Sequence, residues 1–145
     1  MKKVNIEILH NMIRVQNLDP ALDFMYKLGM KEVRRKEVPE GKFTLVFLAA
    51  YDNESQLELT YNWDQNESYS GGNNFGHVAY SVENIYDYCE KLEKKGVTIL
   101  RPPRDVKMAF IHSPDQISIE LLQQGYSLPK IGTLVLHEES WEVVE

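Results

Sequence analysis

At 145 residues the chain has the length of one domain, or of two small modules sharing a sheet, and 43% hydrophobic with 10% aromatic content provides for a real core. Its formal charge is −6, but Glu138, Glu139, Glu142 and Glu145 carry four of those charges, leaving the body near −2 with no basic face for a phosphate backbone. The composition therefore argues against nucleic acid as a partner, and no stretch reaches the ~18 consecutive apolar residues of a membrane-spanning helix.

The start, Met1-Lys2-Lys3-Val4-Asn5, has no apolar signal core and leads into a strand, so a cytoplasmic protein is expected. Ile8 to Val15 alternates loosely and reads as that strand. Asp19-Pro20 then predicts a helix start, with a capping carboxylate and Pro at the first helical position. Ala21, Leu22, Phe24, Met25 and Leu28 form an apolar stripe at helical spacing, and Gly29 ends it. Lys31 to Val38 is a polar edge strand whose run Arg34-Arg35-Lys36 reads as a solvated strand end. Pro39-Glu40-Gly41-Lys42 turns the chain. Phe43 to Ala50 and Gln56 to Asn62 are two further strands, joined through Asp52-Asn53-Glu54.

Asp64 to Asn74 is polar, turn-rich and holds a Gly pair, which marks a linker. Beyond it, Gly76 to Val82 reads as a half-buried strand with His77 near its start, and Asn84 to Gly96 as a helix with an Asn cap and a Gly stop. Cys89 sits on the apolar face of that helix, where a buried small hydrophobe is the better reading than a nucleophile. Val97 to Leu100, Lys107 to His112 and Ile117 to Gln123 complete the strands, with Pro102-Pro103 and Ser113-Pro114-Asp115-Gln116 as turns. The tail 125–145 has no counterpart earlier in the chain; Ile131 to Leu136 is a possible extra strand, and an edge cover or dimer arm is its plainest role.

Sliding the second half back by 67 positions places His77 on His10, Val82 on Val15, Asn84 on Asn17 and Gly96 on Gly29 without a gap. Later, Ile119-Glu120-Leu121 answers Leu57-Glu58-Leu59. The chain is thus two copies of a β-α-β-β-β unit, one over 8–63 and one over 75–124, an α+β arrangement in a single domain. Each copy opens on a strand bearing His and closes on a strand bearing Glu between apolar neighbours. A Glu facing inward there is costly unless paired or metal-bound. Imidazole nitrogen with carboxylate oxygen suits divalent first-row metals. Four such ligands, His10, Glu58, His77 and Glu120, leave two positions of an octahedron open to water or substrate, a catalytic rather than a structural arrangement.

His10-Asn11-Met12-Ile13-Arg14-Val15, Leu57-Glu58-Leu59-Thr60-Tyr61-Asn62-Trp63, Phe75-Gly76-His77-Val78-Ala79 and Ile119-Glu120-Leu121 resemble the four signature strands of the glyoxalase I (lactoylglutathione lyase) family, in the vicinal oxygen chelate superfamily. The resemblance covers about Leu9 to Leu122, and its most specific part is Glu-Leu-Thr-Tyr-Asn-Trp. It implies paired βαβββ modules in a curved eight-stranded mixed sheet. It also implies a homodimer with two interfacial sites, His10 and Glu58 coming from one subunit and His77 and Glu120 from the other. A His at the first ligand position in a short chain resembles the bacterial class activated by nickel or cobalt, where the zinc class has Gln. The implied reaction acts on the hemithioacetal of glutathione and a 2-oxoaldehyde such as methylglyoxal. It passes through a cis-enediolate to S-lactoylglutathione, with Glu120 as the catalytic base and Glu58 opposite it. Arg14 and Asn62 match the residues that hold the γ-glutamyl end of glutathione, and both lie on the cavity side of their strands.

Departures from the family bear on the thiol. The loop that contacts the glycyl end shrinks to Asp105-Val106-Lys107-Met108, leaving Lys107 for that contact. The family's Asp-Pro-Asp-Gly turn becomes Ser113-Pro114-Asp115-Gln116, and Asn73 stands where the eukaryotic form has a glutathione-binding Arg. Another thiol or acyl carrier remains an alternative. Within the superfamily the rival activities are a thioester epimerase and an iron dioxygenase, the latter disfavoured because it uses two His and one Glu. The rival of another class is a metal-free protein that sequesters a small molecule in the same cup.

Overall fold

A computed structural model describes residues 5–52, 55–103 and 107–125. They form two compact units that divide between Ser70 and Gly71, inside the predicted linker. The first unit contains β1 (His10–Val15), α1 (Leu18–Leu28), β2 (Lys31–Val38), β3 (Phe43–Ala49) and β4 (Gln56–Asn62). The second contains β5 (Val78–Val82), α2 (Ile85–Lys94), β6 (Ile99–Arg101), β7 (Met108–His112) and β8 (Ser118–Gln123). Each unit is βαβββ, as the repeat requires, and each builds its own four-stranded mixed sheet: β1-β4-β3-β2 and β5-β8-β7-β6. In both, the first strand lies parallel to the last and every other pair is antiparallel. Right-handed βαβ logic brings the His strand beside the Glu strand, because the helix carries the chain over one face before the meander returns to it. No helix among the described residues is long and apolar enough to cross a membrane.

Alternation sets one apolar and one functional face per sheet. In the first unit Val46, Leu48, Leu57 and Leu59 are fully buried on one face, while Phe47 and Glu58 point to the other. In the second, Ala109, Ile111, Ile119 and Leu121 are buried, and Phe110 and Glu120 take the opposite face. Helix α2 packs on β7 and β8 and buries Ile85, Cys89 and Leu92. Burial pushes the Cys89 thiol up to about 12, which leaves it a small core group without thiolate chemistry near neutrality.

The helix ends differ in detail from the sequence expectation. Helix α1 starts at Leu18 with Asn17 as its N-cap residue, two residues before the predicted start with Asp19 as cap and Pro20 as first helical residue. Pro20 therefore occupies the third helical position, which it tolerates because the first turn's N–H groups have no intrahelical acceptor. Asn17 makes no side-chain cap bond, whereas Asn84 of α2 accepts from the Asp87 amide at 3.2 Å. Both helices stop at glycines in the left-handed region, Gly29 (φ 106°) and Gly96 (φ 87°), a conformation open to Gly without a Cβ penalty.

The predicted Asn53-Glu54 turn, the loop positions Asp105 and Val106, and the tail beyond Gly125 with its Ile131–Leu136 strand lie outside the described residues.

Candidate functional site

In the first unit β1 and β4 run parallel with Met12 opposite Glu58 and Arg14 opposite Thr60. Period-2 alternation then puts His10, Met12, Arg14, Glu58, Thr60 and Asn62 on one face. His10 Nε2 comes within 3.0 Å of Glu58 Oε1, and the carboxylate is buried at 8% exposure. Thr60 donates its hydroxyl to the other carboxylate oxygen over a longer 3.4 Å. The second unit repeats the pair: Ala79 stands opposite Glu120, and His77 Nε2 lies 3.2 Å from Glu120 Oε1. Leu122 takes the place of Thr60 two residues beyond the carboxylate.

The donor chemistry fits a divalent ion. Two adjacent ligands of an octahedral ion with bonds of ~2.1 Å lie about 3.0 Å apart, and the nitrogen–oxygen separations in the two units are 3.0 and 3.2 Å. No group of three or more His, Cys, Asp or Glu converges among the described residues. Each unit therefore offers two donors, half of the predicted quartet.

Arg14 and Asn62 stand on the same face as His10 and Glu58, towards the opposite end of β1 and β4. Arg14 is exposed, and it forms no ion pair among the described residues. Asn62 is half-buried and donates its Nδ2 to the Tyr69 hydroxyl at 3.0 Å, leaving the amide oxygen directed elsewhere. Lys107 lies in the second unit just before β7, exposed, with its carbonyl accepting from the Gln123 amide at 2.7 Å. A cavity of about 380 Å³ opens beside His10, with Arg34, Ser55 and Gln56 also on its walls.

Four contributors are not evident in the sequence. Phe47 lies opposite Glu58 in the β3–β4 register, and its ring meets His10 edge-on at 5.5 Å between centroids; Phe110, opposite Glu120, meets His77 at 5.7 Å. The match of Phe110-Ile111 to Phe47-Leu48 in the repeat was the available signal, and it reads as core packing when taken alone. Tyr69 falls in the stretch read as linker. Arg34 belongs to the run expected as a solvated strand end, but the bulge between Glu32 and Arg34 sets it opposite Phe47 and leaves Arg35 on the face of Glu32. Arg35 pairs with Glu32 at 2.8 Å, which raises its pKa through that hydrogen bond, whereas Arg34 lays its guanidinium over Phe47 at 3.6 Å.

The family profile of the Glyoxalase/Bleomycin resistance protein/Dioxygenase superfamily matches residues 7–121. The chain belongs to this superfamily. Within it, the chain is 42% identical to a lactoylglutathione lyase of Neisseria meningitidis, over 82% of this chain and 91% of that one. It is 44% identical to a probable lactoylglutathione lyase of Synechocystis, over 80% and 94% of the two chains. Among solved structures, a trypanothione-dependent glyoxalase I of Leishmania major matches with a TM-score of 0.77 at 36% identity, covering 94% of each chain. The His–Glu pairs of this glyoxalase-superfamily chain thus sit in the fold on which those lyases are built.

Proposed function

We propose that this protein is a metal-dependent lactoylglutathione lyase that isomerises the hemithioacetal of a 2-oxoaldehyde and glutathione to the 2-hydroxyacyl thioester. The observation that carries this reading is the recurrence of a His–carboxylate pair, at 3.0 and 3.2 Å, at equivalent positions of two homologous modules. His10, Glu58, His77 and Glu120 would hold one divalent ion, which when bound supplies positive charge against the two adjacent substrate oxygens. We assign each site to a homodimer interface, His10 and Glu58 from one copy and His77 and Glu120 from the other, as the family resemblance implies.

The carboxylates divide the work. Glu120 removes the proton from carbon 1 of the hemithioacetal and delivers it to carbon 2, while the hydroxyl proton passes from the first oxygen to the second. Atoms balance without an oxidant or reductant. Glu58 meets both His10 and Thr60, whereas among the described residues Glu120 meets His77, which leaves Glu120 the freer to move a proton.

Arg14 grips the γ-glutamyl carboxylate with its planar fork, and the Asn62 amide oxygen accepts from the ammonium, its orientation held by Tyr69. Lys107 serves the glycyl end from a shortened loop. The Leishmania relative depends on trypanothione, and turnover of the glutathione adduct tests the carrier here. Glutathione is kept reduced in the cytosol, where a glutathione-dependent lyase would work.

We assign nickel or cobalt over zinc as activator, on the His at position 10 and the compact chain. The test is reconstitution of the metal-stripped protein with nickel, cobalt or zinc, followed by thioester formation from the methylglyoxal–glutathione adduct. One ion per subunit with turnover is the expected result, greatest with nickel or cobalt. Zinc as the best activator refutes the metal assignment, and no thioester with any metal refutes the lyase assignment.

A further inference from the structure

A ligating imidazole is usually fixed by a hydrogen bond from its second ring nitrogen to a carboxylate or backbone carbonyl, which sets the ring plane. Here His10 and His77 each direct Nε2 at a carboxylate, and neither Nδ1 has a hydrogen-bond partner among the described residues. Each ring instead meets a phenylalanine nearly at right angles, 82° between planes for His10 and Phe47 and 86° for His77 and Phe110. The arrangement occurs twice, in modules whose sequences have otherwise diverged. Both phenylalanines sit on the central antiparallel strand, directly opposite the ligating Glu. Phe47 is 4% exposed and is pinned on one face by Arg34 at 3.6 Å; in the second unit Arg101 occupies the same register position opposite Phe110.

We infer that Phe47 and Phe110 are positioning residues for the two ligand histidines, fixing the plane of each imidazole by edge-to-face ring contact. A perpendicular aromatic pair resists rotation of the imidazole about its Cβ–Cγ bond, because turning the ring converts a favourable quadrupole contact into a steric or repulsive one. The Glu opposite each Phe is held at the same row of the sheet, so one cross-strand row keeps nitrogen and carboxylate oxygen together. Arg34 acts one step further out by holding the Phe47 ring. This inference rests on the metal reading given above.

The test uses cobalt, which reports both affinity and ligand geometry, on the full-length protein. Wild type, Phe47→Leu, Phe110→Leu and Phe47→Tyr are titrated with cobalt by calorimetry and followed in the visible absorption of the bound ion. Each Leu variant should bind cobalt about three- to tenfold more weakly and shift or broaden the cobalt bands, while Phe47→Tyr, which keeps the ring, should stay within about twofold of wild type. Leu59→Ala, a core change on the opposite face of β4, should lower the melting temperature and leave the cobalt spectrum unaltered. Should Phe47→Leu fail to fold, Phe110→Leu and Phe47→Met decide the matter by the same readings. Wild-type affinity and spectrum in the Leu variants overturn the inference while leaving the metal reading intact. A wild type that takes up no cobalt overturns both.

Discussion

The two modules share their His–Glu–Phe row and differ four residues further along the strand. Offset by 67 positions, both place Arg at a bulge, His at the mouth of the first strand and Gly after the helix. Both set Phe opposite Glu in the sheet. Four residues beyond each His the likeness ends: Arg14 of the first module corresponds to Ser81 of the second, and their cross-strand partners are Thr60 and Leu122. An ion asks the same geometry of every ligand pair, so the donors can be duplicated. A thiol carrier with distinct ends asks for an asymmetric surface, and at this position only the first module carries the guanidinium fork.

The largest effects should come from the carboxylates that the modules share. Glu120→Gln should lower kcat by about 10²- to 10⁴-fold, the range of a positioned general base, and Glu58→Gln by less; stopped-flow or steady-state rates that reverse this order would exchange their roles. His77→Ala should lose metal in elemental analysis, and full occupancy with full activity would remove it from the ligand set.

Next in size is complementation between copies. Glu58→Ala and Glu120→Ala proteins are each expected to be nearly inactive. Mixed and refolded together they should regain activity, since in the proposed interfacial arrangement a heterodimer would contain one site with all four ligands intact. Absence of recovery in a verified heterodimer would place each quartet within one chain.

A smaller contrast concerns the asymmetric position itself. Arg14→Ala should lower kcat/KM about ten- to a hundredfold, through loss of a charged hydrogen bond worth roughly 1.5–3 kcal/mol. Ser81→Ala should stay within about twofold. Kinetics with γ-glutamylcysteine in place of glutathione sharpen the point, since an enzyme leaning on the γ-glutamyl end should lose little when the glycyl residue is removed.

The smallest expected effect lies in the β7–β8 turn of the second module. Gln116 is held at φ 63°, with its amide bonded to the Ser113 carbonyl at 2.9 Å and the Ser113 hydroxyl accepting from the Ile117 amide at 3.1 Å. Gln116→Gly removes the Cβ clash of the left-handed region and should stabilise the fold by about 0.5–1 kcal/mol after the entropy of the unfolded glycine is counted. Thermal melting of the two proteins would show a rise, and a fall would mean the Gln side chain contributes more than its backbone costs.

The sequence by itself determined the repeated unit, the order of its strands and helices, and the four residues that could bind metal. Those features are local or periodic: alternation, helix stops and a gapless 67-residue offset survive in one dimension. It also put Arg14 and Asn62 on the His face, because the counting of strand residues runs unbroken from His10 to Arg14 and from Glu58 to Asn62. Only the tertiary structure decided which groups stand beside those donors. Tyr69 reaches Asn62 from a segment with no periodic signal, and Phe47 reaches His10 across the intervening strand β4. The bulge between Glu32 and Arg34 resets the alternation of β2, sending Arg35 to Glu32 and Arg34 to the functional face. A bulge depends on how two strands pair, and pairing is a property of the folded sheet that one strand's residues do not contain.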